Sequence, residues 1–185
     1  MIKEILTDTD NKMQKAVDAL TRDLAAIRTG RATPALVEHI RVDYHGVPTP
    51  VNQIASISIP EAKMILIQPW DRSAIRSIEK AILASDLGLN PTSDSNVIRI
   101  VIPPLTEERR KELIRVVRKR LEEARVTLRN IRREGIERSR QAEKDKEISQ
   151  DEYTRASEQL QKLTDGFIER VNQTGQDKET EIMEV

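Results

Sequence analysis

The sequence predicts an α+β fold, an antiparallel three-helix bundle carrying a small inserted β/α/β domain. Three observations predict it. Apolar residues recur at steps of three and four in three long segments, residues 3–29, 106–146 and 149 onward, the period of an amphipathic helix. Between the first and second of these segments the period changes to two, the alternation of half-buried strands. One amphipathic helix cannot bury its own seam, so the first needs partners that the chain reaches only after residue 105. Residues 31–104 are therefore an insertion, and the two domains are 1–30 with 105–185, and 31–104.

The first helix places Leu6, Met13, Val17, Leu20, Leu24 and Ile27 on one stripe, with Asp10 at the interrupted step. Gly30 is expected to end it in a left-handed conformation. After Arg31-Ala32-Thr33-Pro34, the residues Ile40, Val42 and Tyr44 alternate as a strand up to a break at Gly46-Val47-Pro48-Thr49-Pro50. Residues 54–59 and 64–67 read as two more strands. A helix opens at Asp71 or Ser73, runs through Ile75, Ile78 and Ile82, and stops at Leu87-Gly88 before Asn90-Pro91. Residues 97–102 form the last strand, and Pro103-Pro104 stiffens the return.

Thr106 caps the next helix, with Glu107 and Glu108 at the positive end of its dipole. Ile114, Val117, Leu121, Ala124, Leu128 and Ile131 form its seam. The last helix opens at Ser149 and Glu152, a capping box. Tyr153, Ala156, Leu160, Leu163, Phe167 and Val171 continue the bundle, and the pattern fades after Thr174, although Ile182 and Met183 can still pack.

Charge is segregated rather than absent. The chain has 31 basic and 31 acidic residues, so as a whole it is no general polyanion binder. Residues 109–133 nevertheless hold eleven Lys or Arg against three acids, a net of +8. Lys111, Arg115, Arg118, Arg125, Arg129 and Arg132 follow the apolar seam one residue behind and form a second stripe. Residues 149–185 carry four basic and nine acidic groups, a net of −5. A solvated polar face is the plain reading of such a run; the sign bias and the preference for arginine point to phosphate.

The remaining chemistry is exclusion. There is no Cys, hence no disulfide, thiolate metal site or cysteine nucleophile. His39 and His45 stand six apart with no third ligand evident, and read as ordinary polar residues. No phosphate-binding glycine loop or hydrolase signature is present, so neither enzyme activity nor a cofactor is expected. The start is no targeting peptide, and no apolar run approaches the ~20 residues that span a bilayer, so a cytoplasmic protein is expected. The aromatic residues are Trp70, Tyr44, Tyr153 and Phe167, too few to stack single-stranded bases. Tyr153, Phe167 and Trp70 are expected in cores. The arginine stripe would thus read phosphates and the shape of folded RNA, not base identity.

Several stretches carry a family likeness. Gly30-Arg31-Ala32-Thr33-Pro34, Trp70-Asp71-Arg72, Ser85 to Pro91, Pro103 to Arg110 and Arg129-Asn130-Ile131-Arg132-Arg133 resemble the signature segments of bacterial ribosome recycling factor. Lys144 to Ser149 and Gln161 to Asp165 resemble it too, and the likeness covers essentially the full chain. The resemblance implies an L shape with two flexible connectors. In the chain itself Gly30-Arg31 at one crossing and Pro103-Pro104 at the other make a natural hinge, taken as Gly30, Arg31, Ala32, Pro103, Pro104 and Leu105, and a monomer is expected. The resemblance also implies a translation factor that hydrolyses nothing itself. The bundle would lie on large-subunit ribosomal RNA across the A and P sites. Elongation factor G with GTP would then move the small domain to separate the subunits. By position, Arg28, Arg31, Arg110, Arg129, Arg132 and Arg133 correspond to the RNA-facing residues. Arg129 and Arg132 also lie on the stripe found from spacing alone.

Departures from the family pattern are Ser95, often Gly, which would alter one turn, and His45, often Tyr. Gly135, inside the long helix, is expected to cost up to about 1 kcal/mol relative to Ala and to permit local fraying. Argued without the resemblance, a helical adaptor or chaperone competes with the translation factor. Salt dependence separates them, since phosphate contacts weaken steeply with ionic strength and an apolar groove does not.

Overall fold

The computed structural model describes residues 1–184. The helices are α1 (Ile2–Ala25), α2 (Ile75–Ala84), α3 (Glu107–Lys144) and α4 (Gln150–Met183). The strands are β1 (Arg41–Tyr44), β2 (Val47–Pro50), β3 (Ala55–Glu61), β4 (Met64–Pro69), β5 (Pro91–Ser93) and β6 (Ile98–Val101). They form two compact units. One comprises Met1–Leu24 and Glu112–Thr180; the other comprises Ala25–Lys111 and the residues from Glu181.

In the helical unit, polar contacts give the helix directions. Asp8 meets Arg138 and Lys12 meets Glu134 at 3.2 and 2.7 Å, and Asp23 meets Arg120 at 3.6 Å. As α1 numbers rise those of α3 fall, so the two run antiparallel. Arg118, Arg125 and Arg132 likewise reach Glu179, Asn172 and Gln161 in descending order, which sets α4 antiparallel to α3. The bundle is therefore the expected one.

Its buried stripes differ in detail from the expected seams. On α1 they are Ile5, Thr9, Met13, Val17, Leu20 and Leu24; Ile5 replaces Leu6, and Thr9 fills the step assigned to Asp10. On α3, Leu113 replaces Ile114, and Ala124 and Ile131 are half-buried. An exact alternation of three and four follows one line of side chains. A straight helix of 3.6 residues per turn drifts off it, so an adjacent apolar residue takes the inner position. Beyond Leu128 the stripe is made of small residues: Gly135, Ser139 and Ala142.

Gly135 does not fray the helix. It is buried in a continuous α3, and a Cβ there would lie 2.9 Å from Thr9 Oγ1 and 3.1 Å from Leu160 Cδ2. Ser139 Oγ donates to the Gly135 carbonyl at 3.0 Å, so the buried hydroxyl is satisfied within its own helix. On α4 the stripe holds Ala156, Leu160, Thr164, Phe167 and Val171, with Tyr153 and Leu163 only half-buried. It continues past Thr174 through Gly175, Lys178 and Ile182, while Met183 is exposed.

The helix ends show how the chain turns. Thr106 Oγ1 accepts from the Arg109 amide at 3.1 Å, and Ser149 Oγ from the Glu152 amide at 3.1 Å, as expected of caps. After α3, Lys146 takes a left-handed φ of 59°. Its amide donates to the Glu143 carbonyl and that of Glu147 to Ala142, a Schellman closure with lysine where glycine is usual. At the other end, α1 stops at Ala25, and Gly30 has no left-handed φ. The chain there is set instead by buried Thr29, whose hydroxyl donates to Glu181 Oε1 at 3.0 Å and accepts from the Arg31 amide.

In the second unit β1 and β2 form a hairpin across His45 and Gly46, both with positive φ, the signature of a type I′ turn. β2 occupies the stretch expected to be a break. Its prolines read as breakers, but an edge strand tolerates them. β3, β4, β6 and β5 form a four-stranded antiparallel sheet in that order. Ile65, Ile67, Ile98 and Ile100 point from it into a core closed by Ile75, Ile78 and Ile82 of α2. The short β5 lies where only a post-helix turn was expected. Asp71 caps the turn leading into α2 by accepting from the Ser73 amide at 2.9 Å. Trp70 is not core: it is 69% exposed. Ile65, Ile67 and Pro69 face inward, so the next residue along an alternating strand faces out.

The turn into β6 is built on Asp94, whose carboxylate accepts from the amides of Asn96 and Val97 and from Arg99 Nη1 at 2.8, 3.0 and 2.9 Å. Ser95 within it has no left-handed φ, so glycine is not required there. The Asn96 amide, then Arg99, hold the Asp94 carboxyl down to about 2. Asp in an unfolded chain titrates near ~3.9. The stabilisation is therefore present above that value and lost as pH falls through the folded one. Asp94→Asn is expected to lower the unit's melting temperature at neutral pH. It should also remove the part of the acid destabilisation falling between about pH 4 and pH 2, read by thermal melts across that range.

Candidate nucleic-acid interface

The basic stripe of α3 is present, and it runs beside α4. Arg118 Nε donates to Glu179 Oε1 at 2.8 Å, Arg125 Nε to Asn172 Oδ1 at 2.9 Å, and Arg132 Nη1 to Gln161 Oε1 at 2.7 Å. The three arginines are seven apart, so they return to one side of the helix every two turns. Glu122 accepts from Arg125 at 3.1 Å and Arg129 at 3.3 Å. These two arginines, Arg125 first, hold its carboxyl below the ordinary range.

The candidate residues of the helical unit thus differ in how much charge they keep. Arg129 shares a carboxylate. Arg132 is half-buried and, among the described residues, is bonded to a neutral amide and to no carboxylate, so its charge is uncancelled. Arg133 is exposed and forms no ion pair among the described residues. Exposed pairs such as Arg129–Glu122 contribute little to stability, about 0–1 kcal/mol, so a phosphate can compete for the guanidinium.

Arg28, Arg31 and Arg110 fall in the second unit. Arg28 donates from Nη2 to the Pro103 carbonyl at 3.1 Å. Burial, and then the neighbouring Arg109, pull its pKa below the usual arginine value. Arg31 pairs with Glu184 at 2.5 Å. Arg110 is half-buried, and its Nε, like that of Arg28, is covered without a partner. Arg31, Lys63, Leu105, Arg110, Glu181 and Glu184 line a cavity of about 170 Å³. Here acids answer bases, in contrast to Arg132 and Arg133.

Backbone bonds reach the hinge candidates from within their own unit. Ala32 donates its amide to Ala62 at 2.8 Å, and the Ile102 amide donates to Lys63 at 2.7 Å, tying both chain crossings to the β3–β4 turn. Gly30 is half-buried, Pro103 and Pro104 are exposed, and Leu105 is buried.

Tyr44 donates its hydroxyl to Asp71 Oδ2 at 3.2 Å, and His45 Nε2 lies 3.7 Å from the same oxygen, which ties the hairpin tip to the cap of α2. His39 is exposed beside Glu38 at 3.5 Å. Among the described residues no group of three or more His, Cys, Asp or Glu could hold a metal, and no helix is long and apolar enough to cross a membrane. Spacing identified the basic stripe. It could not identify the α4 side chains that hold it, because those bonds join residues 29 to 61 apart.

Comparison with known proteins extends over the whole chain. The family profile described as Ribosome recycling factor matches residues 20–183. The ribosome-recycling factor of Dehalococcoides mccartyi is 55% identical, and that of Syntrophomonas wolfei 56%, each over 185 residues covering 100% of both chains. A solution structure of the ribosome recycling factor superposes with a TM-score of 0.78 at 48% identity, covering 100% of this chain and 98% of that one. The T. thermophilus ribosome recycling factor, described with E. coli elongation factor G bound to the E. coli post-termination complex, superposes with a TM-score of 0.70. It is 46% identical, with 100% of each chain covered.

Proposed function

The chain belongs to the ribosome recycling factor family, and from that membership we propose how it acts on the post-termination ribosome. With elongation factor G and GTP it separates the subunits for reuse. Its bundle, drawn as residues 1–30 with 105–185, lies on large-subunit ribosomal RNA across the A and P sites. Residues 31–104 swing about Gly30, Arg31, Ala32, Pro103, Pro104 and Leu105. The chain supplies binding and leverage rather than bond-breaking chemistry. Arg28, Arg31, Arg110, Arg129, Arg132 and Arg133 contact RNA phosphates. The observation that supports the RNA reading best is Arg132, a guanidinium held in place by the Gln161 amide with its charge uncancelled.

Sedimentation of post-termination ribosomes with elongation factor G and GTP, with and without this protein, tests the proposal. Free subunits should accumulate only in its presence; equal profiles would refute it. Arg132→Ala is expected to weaken binding to large subunits about tenfold, the scale of one charge-assisted hydrogen bond, and to flatten the salt dependence. The melting temperature should be unchanged, since the side chain holds no core.

A further inference from the structure

We propose that Gln161 is a positioning residue, holding the guanidinium of Arg132 toward RNA while leaving its charge intact; this rests on the reading of Arg132 as a phosphate contact. The arrangement is a short relay across two helices. Arg132 Nη1 donates to Gln161 Oε1 at 2.7 Å, and Gln161 Nε2 donates to Asp165 Oδ1, one turn further along α4, at 2.8 Å. An ionised carboxylate can only accept, so Asp165 takes the amide nitrogen and the amide oxygen is left to face the arginine. The amide is therefore oriented from behind.

The rest of the guanidinium is accounted for as well. Arg132 Nε is covered and has no partner. Nη2 and the second hydrogen of Nη1 remain, and they can still grip a phosphate with two parallel bonds. A free arginine gives up rotamer freedom when it binds, and one already held gives up less.

The chemistry of the acceptor matters as much as its position. On the same stripe Arg118 is met by the Glu179 carboxylate, and Arg129 shares Glu122. A carboxylate fixes an arginine and also offsets its charge. An amide fixes it without that loss, so position 161 separates holding from neutralising.

The test compares five full-length chains in binding to large ribosomal subunits over a range of KCl concentrations. They are the parent, Gln161→Ala, Gln161→Glu, Arg132→Ala, and Gln161→Ala combined with Arg132→Ala. Alanine and glutamate are good helix formers and position 161 is exposed, so α4 is retained. Gln161→Ala should weaken binding about threefold with the salt slope unchanged. Gln161→Glu should weaken it about tenfold and reduce the slope by about one, as if a cation had been removed. In the Arg132→Ala background Gln161→Ala should add nothing.

A costly Arg132→Ala with silent Gln161 variants overturns the positioning role alone. So does a Gln161→Ala loss that persists without Arg132, since the amide would then touch RNA itself. Tight binding by Gln161→Glu overturns the charge argument. A silent Arg132→Ala overturns the phosphate reading and this inference with it.

Discussion

Gly175→Val is expected to destabilise the helical unit by about 3 kcal/mol, near the upper range of over-packing, and to lower its melting temperature by about 10 °C. A Cβ at this position would lie 3.0 Å from Leu121 Cγ, with both Leu121 methyls closer still. Leu121 is itself 5% exposed in the α3 stripe, so moving it aside would disturb the packing around it. Ordinarily a glycine inside a helix invites replacement, because a better helix former gains up to about 1 kcal/mol. Here the gain is smaller than the clash. Far-ultraviolet circular dichroism during heating measures it, and a variant melting at or above the parent would show that the helices can separate at no cost.

A disulfide engineered between residues 31–104 and the bundle is expected to cut subunit release at least tenfold, roughly to background, while ribosome binding remains measurable. The chain contains no Cys, so an introduced pair would be its only thiols, and reduction should restore activity in the same sample. By the proposed boundaries the insertion joins the helices through two segments, and among their backbone bonds are the Ala32–Ala62 and Ile102–Lys63 pairs. If release depends on motion about those segments, a covalent brace stops it without touching the arginines. Full release by the oxidised form would remove the swinging element from the mechanism and leave the RNA contacts standing. The two predictions separate stability from movement, since the first perturbs packing and the second leaves it alone.

What was legible in the sequence was whatever repeats locally. The three helices, α2 and the strands β1, β3, β4 and β6 follow from periods of 3.6 and 2, and the excess of arginine on α3 is a count along one element. The signature stretches from Gly30 to Asp165 identify the family, since a run of residues can be matched without knowing what it touches. Other features needed a second element to be in place. Whether Ile5 or Leu6 turns inward depends on which side the partner helix lies, and both satisfy the pattern. Gly135 and Gly175 look like weak points until Thr9, Leu160 and Leu121 are seen against them. Lys146 gives no sign of a left-handed turn until its own amide and that of Glu147 find the Glu143 and Ala142 carbonyls. Arg132 looks like any member of its stripe until Gln161 faces it. Periodicity records which face a residue lies on, while distance, partner and charge balance are set only when separate helices meet, and those decide which arginine is held by a neutral amide and which by a carboxylate.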